Sequence, residues 1–341
     1  MILVTTSDYF PQLGGLSTFT ENIVQSLRSI GEEVEIFHWK KTSDIQSFNF
    51  DNLKKYKLVI NVHVMFCWLA PVGQERMINF VHGSEILMTS PNLLKKVYKQ
   101  FKKKSFFEKT SHSYINFFIS NATLKKIKQA GYQSNVATDI VFHNCIDVNN
   151  ANLIDLSLDS EVVFTCIVRN VPHKNLDGAV AFCERYSHET QRKVKLVIPH
   201  GIRKNSTIVE IENLKDQSDL TREAAYQKAN YNLLLSFDHS KFGFFEGFGL
   251  TVLEAAKYGC PSIVNNTGGL PESTHHLSTG FVINVDEEDQ YQMIFKYQNN
   301  DYKQMRKNAF NHTVENHGLD QYSIFFKKVL HSLNENLEKS L

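Results

Sequence analysis

The stretch Phe245-Glu246-Gly247-Phe248-Gly249-Leu250-Thr251-Val252-Leu253-Glu254-Ala255-Ala256 places two glutamates eight positions apart. A Gly-Phe-Gly turn follows the first glutamate, and the second falls on the helix that the apolar pattern predicts after the turn. Carboxylates held in this way can bind two separate groups of hydroxyls on one ligand. The unpaired amide N–H groups of the turn and of the helix start can bind an anion between them. Hydroxyls, an anion and further hydroxyls are the layout of a sugar nucleotide, with its sugar, diphosphate and ribose.

On both sides of this stretch, short apolar runs alternate with amphipathic segments. Buried strands are predicted at residues 1–5, 34–38, 58–64, 77–81, 117–120, 140–142, 162–168, 195–198, 233–236, 261–264 and 280–283. Helices are predicted at residues 18–29, 121–130, 176–186, 221–228, 251–258 and 319–337. This alternation is typical of an α/β protein with doubly wound parallel sheets.

The alternation pauses in the polar segment 147–160, where we place an interdomain linker. The predicted organisation is a first Rossmann-like domain over residues 1–155, a second over residues 156–318, and a terminal helix within 319–341. Two such halves form a cleft at their interface, and ligands of such sheets bind at the carboxyl ends of the strands.

The bulk properties exclude several function classes. The 341 residues carry 37 basic and 36 acidic side chains, a net charge of +1, which argues against a nucleic-acid partner. The five scattered cysteines include no Cys-x-x-Cys pair, as expected of reduced thiols in the cytoplasm. The N-terminus lacks the features of a signal peptide, and no apolar run approaches the ~20 residues of a transmembrane helix. We therefore expect a soluble cytoplasmic protein, at most peripheral at the inner face of the cytoplasmic membrane.

Two features of the first half suit ligand binding. Gly14 and Gly15 stand between the first predicted strand and the helix at 18–29, where glycines let the backbone approach a ligand in front of a helix N-terminus. An ordinary turn explains the pair equally well. His82 directly follows the strand at 77–81, so its imidazole can bond a sugar hydroxyl or accept a proton in the cleft. The dinucleotide fingerprint Gly-x-Gly-x-x-Gly is absent here, which counts against an NAD enzyme.

Arg169 and Lys174 follow the first strand of the second half, before the helix at 176–186. Two cations in a strand-to-helix loop can hold a diphosphate and neutralise the charge that develops as it departs. Two solvated surface charges are the alternative, and the glutamates at 246 and 254 in the same half favour the functional interpretation. We find no metal site, no nucleophile elbow and no Cys/His pair, so no metal or other cofactor is expected.

The segment 94–109 combines seven lysines with interleaved aromatic and aliphatic residues. A basic helix of this kind can lie on an anionic membrane surface, where each cation contributes about 1 kcal/mol. A solvated helix face is the usual alternative. The lysines predicted to contact the membrane are Lys95, Lys96, Lys99, Lys102, Lys103 and Lys104.

With these motifs the chain resembles the family 4 retaining glycosyltransferases, which have the GT-B fold of two Rossmann-like domains facing across a cleft. The E-x7-E motif from Glu246 to Glu254 is the most specific part of the resemblance. The supporting motifs are Tyr9-Phe10-Pro11, Gly14-Gly15, His82-Gly83, Ser120-Asn121-Ala122-Thr123, Asn144-Cys145-Ile146-Asp147, Arg169 with Lys174, and Gly259-Cys260-Pro261. The chain departs from the family pattern at Cys145, at Pro199-His200-Gly201 and at Gly243, which bears on the identity of the donor.

The resemblance implies a role for each matching residue. Glu246 would hold the hydroxyls of the donor sugar, Glu254 those of the ribose, and Arg169 and Lys174 the diphosphate. His82 would contact the donor sugar near the reaction centre. The remaining donor-binding residues would be Gly14, Gly15, Gly247, Phe248, Gly249, Leu250 and Thr251. In the family the terminal helix usually crosses back onto the first domain.

The implied reaction moves a hexose-type sugar from a nucleoside diphosphate sugar to an acceptor hydroxyl, with the anomeric configuration retained and no metal required. The basic helix suggests a lipid-linked glycan acceptor, as in the assembly of bacterial O-antigen, capsule or lipopolysaccharide. Two alternatives stay open: a sugar-nucleotide enzyme of the same fold such as a 2-epimerase, and an inactive subunit of a transferase complex.

Overall fold

The computed structural model of the chain describes residues 1–9, 15–71, 73–83, 87, 89–90, 92–287 and 289–338, with side chains to 333. The chain divides into two compact units. Unit 1 comprises Met1–Asp147, Lys241–Gly243 and His317–Leu341, and unit 2 comprises Val148–Ser240 and Phe244–Asn316. No helix among the described segments has the length and apolar character needed to cross a membrane.

Unit 1 is a six-stranded parallel sheet with the strand order β2-β1-β3-β4-β5-β6. Its strands are β1 Ile2–Thr6, β2 Val34–His38, β3 Leu58–Asn61, β4 Met77–Val81, β5 Ile115–Phe118 and β6 Asp139–Val141. Its helices are α1 Gly15–Ser29, α2 Thr42–Gln46, α3 Met65–Leu69, α4 Leu93–Ser111, α5 Asn121–Gln129 and, at the end of the chain, α12 Leu319–Glu338. The four residues of β3 and the five of β4 are all buried, as expected for central strands covered on both faces.

Unit 2 repeats this architecture with the strand order β12-β11-β10-β7-β8-β9, again parallel throughout. Its strands are β7 Glu161–Thr165, β8 Lys193–Ile198, β9 Glu210–Asn213, β10 Tyr231–Leu234, β11 Ser262–Asn265 and β12 Gly280–Ile283. Its helices are α6 Leu176–Thr190, α7 Asp219–Lys228, α8 Leu250–Ala256, α9 Leu270–Ser273, α10 Asp289–Phe295 and α11 Asn299–Asn316. The two sheets with their helices confirm the predicted doubly wound α/β class.

The strand order of unit 2 places a topological switch point at its centre. β7 pairs with β8 on one side and with β10 on the other, so the chain leaves β7 and β10 in opposite directions along the sheet. A crevice forms at the carboxyl ends of two such strands, and ligands of open α/β sheets bind there. The loops that follow Thr165 and Leu234 are therefore the place to look for a binding site.

The α12 helix packs against α1 inside unit 1. The phenolic oxygen of Tyr322 accepts a hydrogen bond from the backbone N–H of Cys145 at 3.1 Å, and its ring stacks on Phe142 at 5.3 Å. Ser323 on α12 and Ser29 on α1 share a hydrogen bond of 3.0 Å between their hydroxyls. These contacts attach the end of the chain to unit 1.

The sequence-based boundaries were wrong in several places. The strand predicted at 58–64 ends at Asn61, because the N–H of Met65 donates to Nδ1 of His63 and α3 begins there. The strand predicted at 162–168 ends at Thr165, because the N–H of Val168 bonds to the carbonyl of Cys166 and turns the chain. The strand β9 was not predicted. It is an exposed edge strand, Glu-Ile-Glu-Asn, that lacks the apolar run of a central strand.

Candidate functional site

The candidate site lies in unit 2, in the loops that follow β7 and β10. The loop after β7 carries Arg169 and Lys174, and the loop after β10 carries Ser236 and Glu246. Because these strands are neighbours, their carboxyl ends bring the two loops together at the switch point. Residues that are 72 positions apart in the chain meet there.

Lys174 and Glu246 form an ion pair at the centre of the site. Their side chains are only 15% and 13% exposed, so the pair is largely removed from water. The hydroxyl of Ser236 donates to the same oxygen, Oε2 of Glu246, at 3.2 Å. None of the described residues donates to Oε1. The carboxylate therefore keeps one oxygen for a hydroxyl group of a ligand, while Lys174 fixes the other.

The segment around Lys174 is held to the residues that follow β10 by hydrogen bonds from the Asn175 side chain and from the backbone. Asn175 has a left-handed backbone with φ of 53°, caps α6 by accepting from the N–H of Gly178 at 3.1 Å, and donates to the carbonyl of Leu235 at 3.1 Å. The N–H of Phe237 donates to the carbonyl of His173 at 2.7 Å. An asparagine is one of the few residues other than glycine that readily adopt this conformation, so Asn175 fixes both the helix start and the position of the ammonium group before it.

The backbone of Glu246 is held by the loop that follows β11. Its carbonyl accepts from the N–H of Gly269 at 3.0 Å. Gly268 has φ of +56°, and a Cβ atom at this position would lie 2.0 Å from the Glu246 carbonyl oxygen. Only glycine fits such a close approach, so the Gly268-Gly269 pair determines where the Glu246 carboxylate can be.

The turn between the two glutamates leads into α8 at a position that only glycine fits. Gly249 is the N-cap residue with φ of 92°, and a Cβ atom there would lie 2.7 Å from Leu270 and 3.0 Å from Leu234. Phe248 is buried and anchors the turn in unit 2. Within the described part of the chain, the hydroxyl of Thr251 is buried and has no hydrogen-bond partner. The turn presents backbone N–H groups and one hydroxyl near the first glutamate.

Glu254 lies one turn further along α8, in a buried environment that disfavours the ionised carboxylate. Burial raises the pKa of the Glu254 carboxyl, and the guanidinium of Arg222 on α7 acts in the opposite direction. Arg222 itself forms an ion pair with Asp219. Among the described residues none donates a hydrogen bond to the Glu254 carboxylate. A desolvated carboxylate without donors gains free energy when ligand hydroxyls bind it.

Arg169 lies four residues beyond the end of β7 and is exposed, and its guanidinium has no hydrogen bond or ion pair to the described residues. Burial, and after it the charges of Lys174 and Arg169, lowers the pKa of His173 in the same loop. Three positively charged or polar groups therefore line this loop. An exposed guanidinium beside a half-buried ammonium is suited to an anion such as a diphosphate.

The remaining predicted residues lie in unit 1 or outside the described residues. His82 directly follows β4, and its ring packs edge-on against Phe19 at 4.5 Å. Gly15 is the first residue of α1. Gly14 lies outside the described residues, as do Phe10 and Pro11. No group of three or more His, Cys, Asp or Glu side chains in the described ranges is arranged to hold a metal ion.

Sequence reasoning missed the residues that support the two glutamates. Ser236, Asn175 and Arg222 carry no motif of their own, and their roles follow from pairing between strands and helices far apart in the chain. A signal for Asn175 did exist, since an asparagine directly before an amphipathic helix is a typical N-cap. Nothing in the sequence links Arg222 to Glu254.

Residues 155–312, somewhat less than half of the chain, match the family described as "Glycosyl transferases group 1". No curated protein matches the sequence significantly.

Among solved structures, HepE from Anabaena in complex with UDP and glucose has a TM-score of 0.68 at 14% identity, covering 97% of this chain and 99% of its own. Sucrose-phosphate synthase from Thermosynechococcus elongatus has a TM-score of 0.73 at 13% identity, with coverages of 98% and 99%. WaaG, a glycosyltransferase involved in lipopolysaccharide biosynthesis, has a TM-score of 0.65 at 11% identity, with coverages of 95% and 98%. These likenesses confirm the GT-B fold and the predicted resemblance to the GT-B glycosyltransferases.

Replacing Gly268 by alanine tests whether the loop after β11 fixes Glu246. Gly268→Ala adds the strain of a left-handed alanine, about 1–2 kcal/mol, and an overpacking cost of roughly 1–3 kcal/mol against the Glu246 carbonyl. The control is Gly201→Ala in the same unit, where φ is +75° and nothing lies within 4 Å of the added Cβ. Urea unfolding should therefore show a clearly larger loss for Gly268→Ala. Equal losses would mean that Gly268 serves only the turn.

Proposed function

We propose that the chain is a glycosyltransferase that moves a hexose-type sugar from a nucleoside diphosphate sugar to an acceptor hydroxyl. The observation that carries this proposal is the Lys174–Glu246 ion pair at the switch point of unit 2, with Glu254 on the helix that follows. Lys174 supplies a cation for a diphosphate. Glu246 and Glu254 supply one carboxylate each for the hydroxyls on the two sides of the diphosphate. The match of unit 2 to the group 1 glycosyltransferases supports the same assignment.

In the proposed binding mode, the donor lies along the site from Glu246 to Glu254. Glu246 receives hydroxyls of the sugar, assisted by the amides of Gly247, Phe248 and Gly249. The diphosphate lies near Lys174, Arg169 and the start of α8 at Leu250 and Thr251, and Glu254 receives the ribose hydroxyls. The half-buried environment strengthens each of these contacts relative to water.

We propose that the transfer retains the anomeric configuration and needs no metal. The bond between the anomeric carbon and the diphosphate oxygen breaks, and a bond from the acceptor oxygen forms on the same face of the sugar. The acceptor proton passes to a phosphate oxygen of the departing diphosphate, whose charge Arg169 and Lys174 neutralise. His82 would contact the sugar close to this reaction. Positioning and charge stabilisation then provide most of the rate enhancement.

A nucleotide screen tests the donor site. UDP, GDP, ADP and dTDP, each with and without EDTA, are compared by thermal shift, and one base should stabilise the protein by about 2.7 kcal/mol at a concentration 100 times its dissociation constant. Lys174→Ala and Glu254→Ala should each weaken binding roughly tenfold to a hundredfold, because each removes a charge-assisted contact worth about 1.5–3 kcal/mol. Each variant is referred to its own unliganded melting temperature.

Lys195→Ala is the matched control for the lysine variant. Lys195 pairs with Glu210 and Glu212 on the edge strand of the same unit, so its removal breaks a pair without touching the site. It should leave nucleotide binding unchanged. If no nucleotide stabilises the wild type, the inactive-subunit alternative replaces the proposed function.

Product analysis with the selected nucleotide sugar completes this experiment. NMR of the product should show the anomeric configuration of the donor in a new glycosidic bond, with turnover unaffected by EDTA. Epimerised nucleotide sugar, formed without an acceptor, would support the 2-epimerase alternative. Inverted product would contradict the retaining mechanism.

For the acceptor we propose a lipid-linked glycan at the cytoplasmic face of a membrane, in the assembly of a cell-surface polysaccharide. The support is the surface of α4, which projects a row of exposed apolar side chains at helical spacing: Leu94, Val97, Tyr98 and Phe101 are 82%, 59%, 59% and 88% exposed. Lysines flank the row. An apolar stripe bordered by cations is the pattern of helices that lie in the interface of an anionic bilayer.

The structure narrows the set of lysines predicted for this contact. Lys99 turns back to the body of unit 1, where its ammonium donates to the carbonyl of Thr89 at 2.9 Å and burial lowers its pKa. Lys103 lies over the ring of Phe107 at 5.7 Å. The exposed cations of α4 are Lys95, Lys96, Lys102 and Lys104. Lys95, Lys102 and Lys104 flank the apolar row and would face the lipid headgroups with it, whereas Lys96 lies roughly 150° around the helix from the row.

Vesicle flotation tests this surface. The protein should bind phosphatidylserine-containing vesicles more tightly than phosphatidylcholine vesicles, and added salt should weaken the binding. Phe101→Ser should reduce it about tenfold or more, since a buried aromatic side chain contributes roughly 1.5–3 kcal/mol. Leu220→Ser is the control, because Leu220 is 79% exposed on the unit 2 helix α7. Equal binding to both kinds of vesicle, or no effect of Phe101→Ser, would contradict the proposed contact.

A further inference from the structure

Phe244 is an exposed aromatic ring next to the proposed sugar ligand. Four phenylalanines stand at positions 242–248, and two of them, Phe245 and Phe248, are only 7% and 1% exposed. Phe242 and Phe244 are 55% and 42% exposed, and Phe244 is the exposed one that belongs to unit 2. A large apolar ring left in contact with water beside a proposed binding site indicates a surface that a ligand covers.

The ring of Phe244 is held in a fixed orientation. It stacks on the imidazole of buried His173 with a centroid distance of 5.0 Å and an angle of 11° between the planes. Its backbone is held as well, because the N–H of Phe244 donates to the carbonyl of His239 at 3.2 Å in an isolated antiparallel bridge. One face of the ring is therefore covered by His173, and the ring cannot collapse onto the surface when the site is unliganded.

The stack stays neutral at physiological pH. Burial, followed by the charge of Lys174, lowers the pKa of His173. The imidazole is therefore uncharged near pH 7, and the stacked pair presents an apolar face without a charge of its own.

The position of this stack relates it to the sugar end of the donor site. Phe244 precedes Glu246 by two residues, and His173 directly precedes Lys174, so the two stacked rings and the two charged groups belong to the same two loops. Glu254, the proposed ribose ligand, lies on α8 about one turn after the Gly249 N-cap. An aromatic face beside a carboxylate can bind a pyranose, whose C–H groups pack on the ring while its hydroxyls bond to the carboxylate.

We infer that Phe244, supported by His173, is a binding platform for the apolar face of a hexopyranose. This inference rests on the proposed function, because it assigns Glu246 to sugar hydroxyls. The pyranose is either the sugar of the donor or a sugar of the acceptor glycan, and both present the same C–H face. A nucleobase is the competing flat ligand, and in the proposed binding mode the nucleoside lies at Glu254, at the other end of the donor from Glu246.

Calorimetric titration of UDP and UDP-glucose, or of the equivalent pair for the base selected in the screen, tests the donor arm. Phe244→Ala should leave the diphosphate affinity unchanged and weaken the sugar nucleotide roughly threefold to tenfold. The acceptor arm uses saturation-transfer NMR of methyl hexopyranosides added to the nucleotide-saturated protein, and Phe244→Ala should abolish their signals. Loss in either arm supports the platform and identifies the source of the sugar.

Substitutions of matched size separate stacking from packing. Phe244→Tyr and Phe244→Trp should keep sugar binding, whereas Phe244→Leu, which preserves apolar contact without a flat face, should behave like alanine. Ile208→Ala, at a 55% exposed position before the edge strand β9, should change nothing.

Unchanged sugar binding in both arms, full function of Phe244→Leu, or an equal loss of diphosphate and sugar-nucleotide affinity would overturn the platform. An equal loss of diphosphate and sugar-nucleotide affinity would assign Phe244 to the nucleobase. A wild type that binds the methyl hexopyranosides but no nucleotide would overturn the proposed function and leave the platform standing.

Discussion

The ion pair between Lys174 and Glu246 is the interaction on which the arrangement of unit 2 at the switch point depends. Both side chains are largely buried, so each charge needs the other, and removal of one would leave an uncompensated charge at a cost of roughly 3–5 kcal/mol. The pair joins the loop after β7 to the loop after β10. A ligand that binds here finds both charged groups already in place, and it is spared the free energy of ordering them.

Backbone constraints around the pair are as important as the charges. Asn175 and Gly268 both adopt left-handed conformations. Asn175 directly follows Lys174, and Gly268 lies against the carbonyl of Glu246. Glycine and asparagine adopt this conformation with little strain, and here it fixes the origin of each charged side chain. Gly249 does the same for the start of α8, where Leu270 and Leu234 leave no space for a Cβ atom. The site is therefore built from rigid turns at the ends of strands.

The sequence was most informative where local pattern and local structure coincide. Apolar runs predicted the central strands of both sheets, and the E-x7-E spacing predicted a turn followed by the helix that carries Glu254. Prediction failed where long-range pairing decides the structure. The edge strand β9 has no apolar run, and Arg222 approaches Glu254 only because α7 packs on α8. Lys99 was grouped with the other lysines of α4, although its bond to Thr89 turns it away from the exposed face. Which of the four phenylalanines at 242–248 are exposed could not be read from a run of similar residues.

The residues proposed to bind the nucleotide and those proposed to act near the reaction centre belong to different units. Arg169, Lys174, Glu246 and Glu254 all belong to unit 2, so the proposed contacts to the diphosphate and the ribose lie in that unit. His82 and Gly15 belong to unit 1, as does the exposed row of α4. In the proposed reaction, unit 2 therefore supplies the contacts that are present before and after transfer. Unit 1 would supply His82 near the donor sugar and the α4 surface for a membrane-bound acceptor, so both units would take part in recognising the substrates.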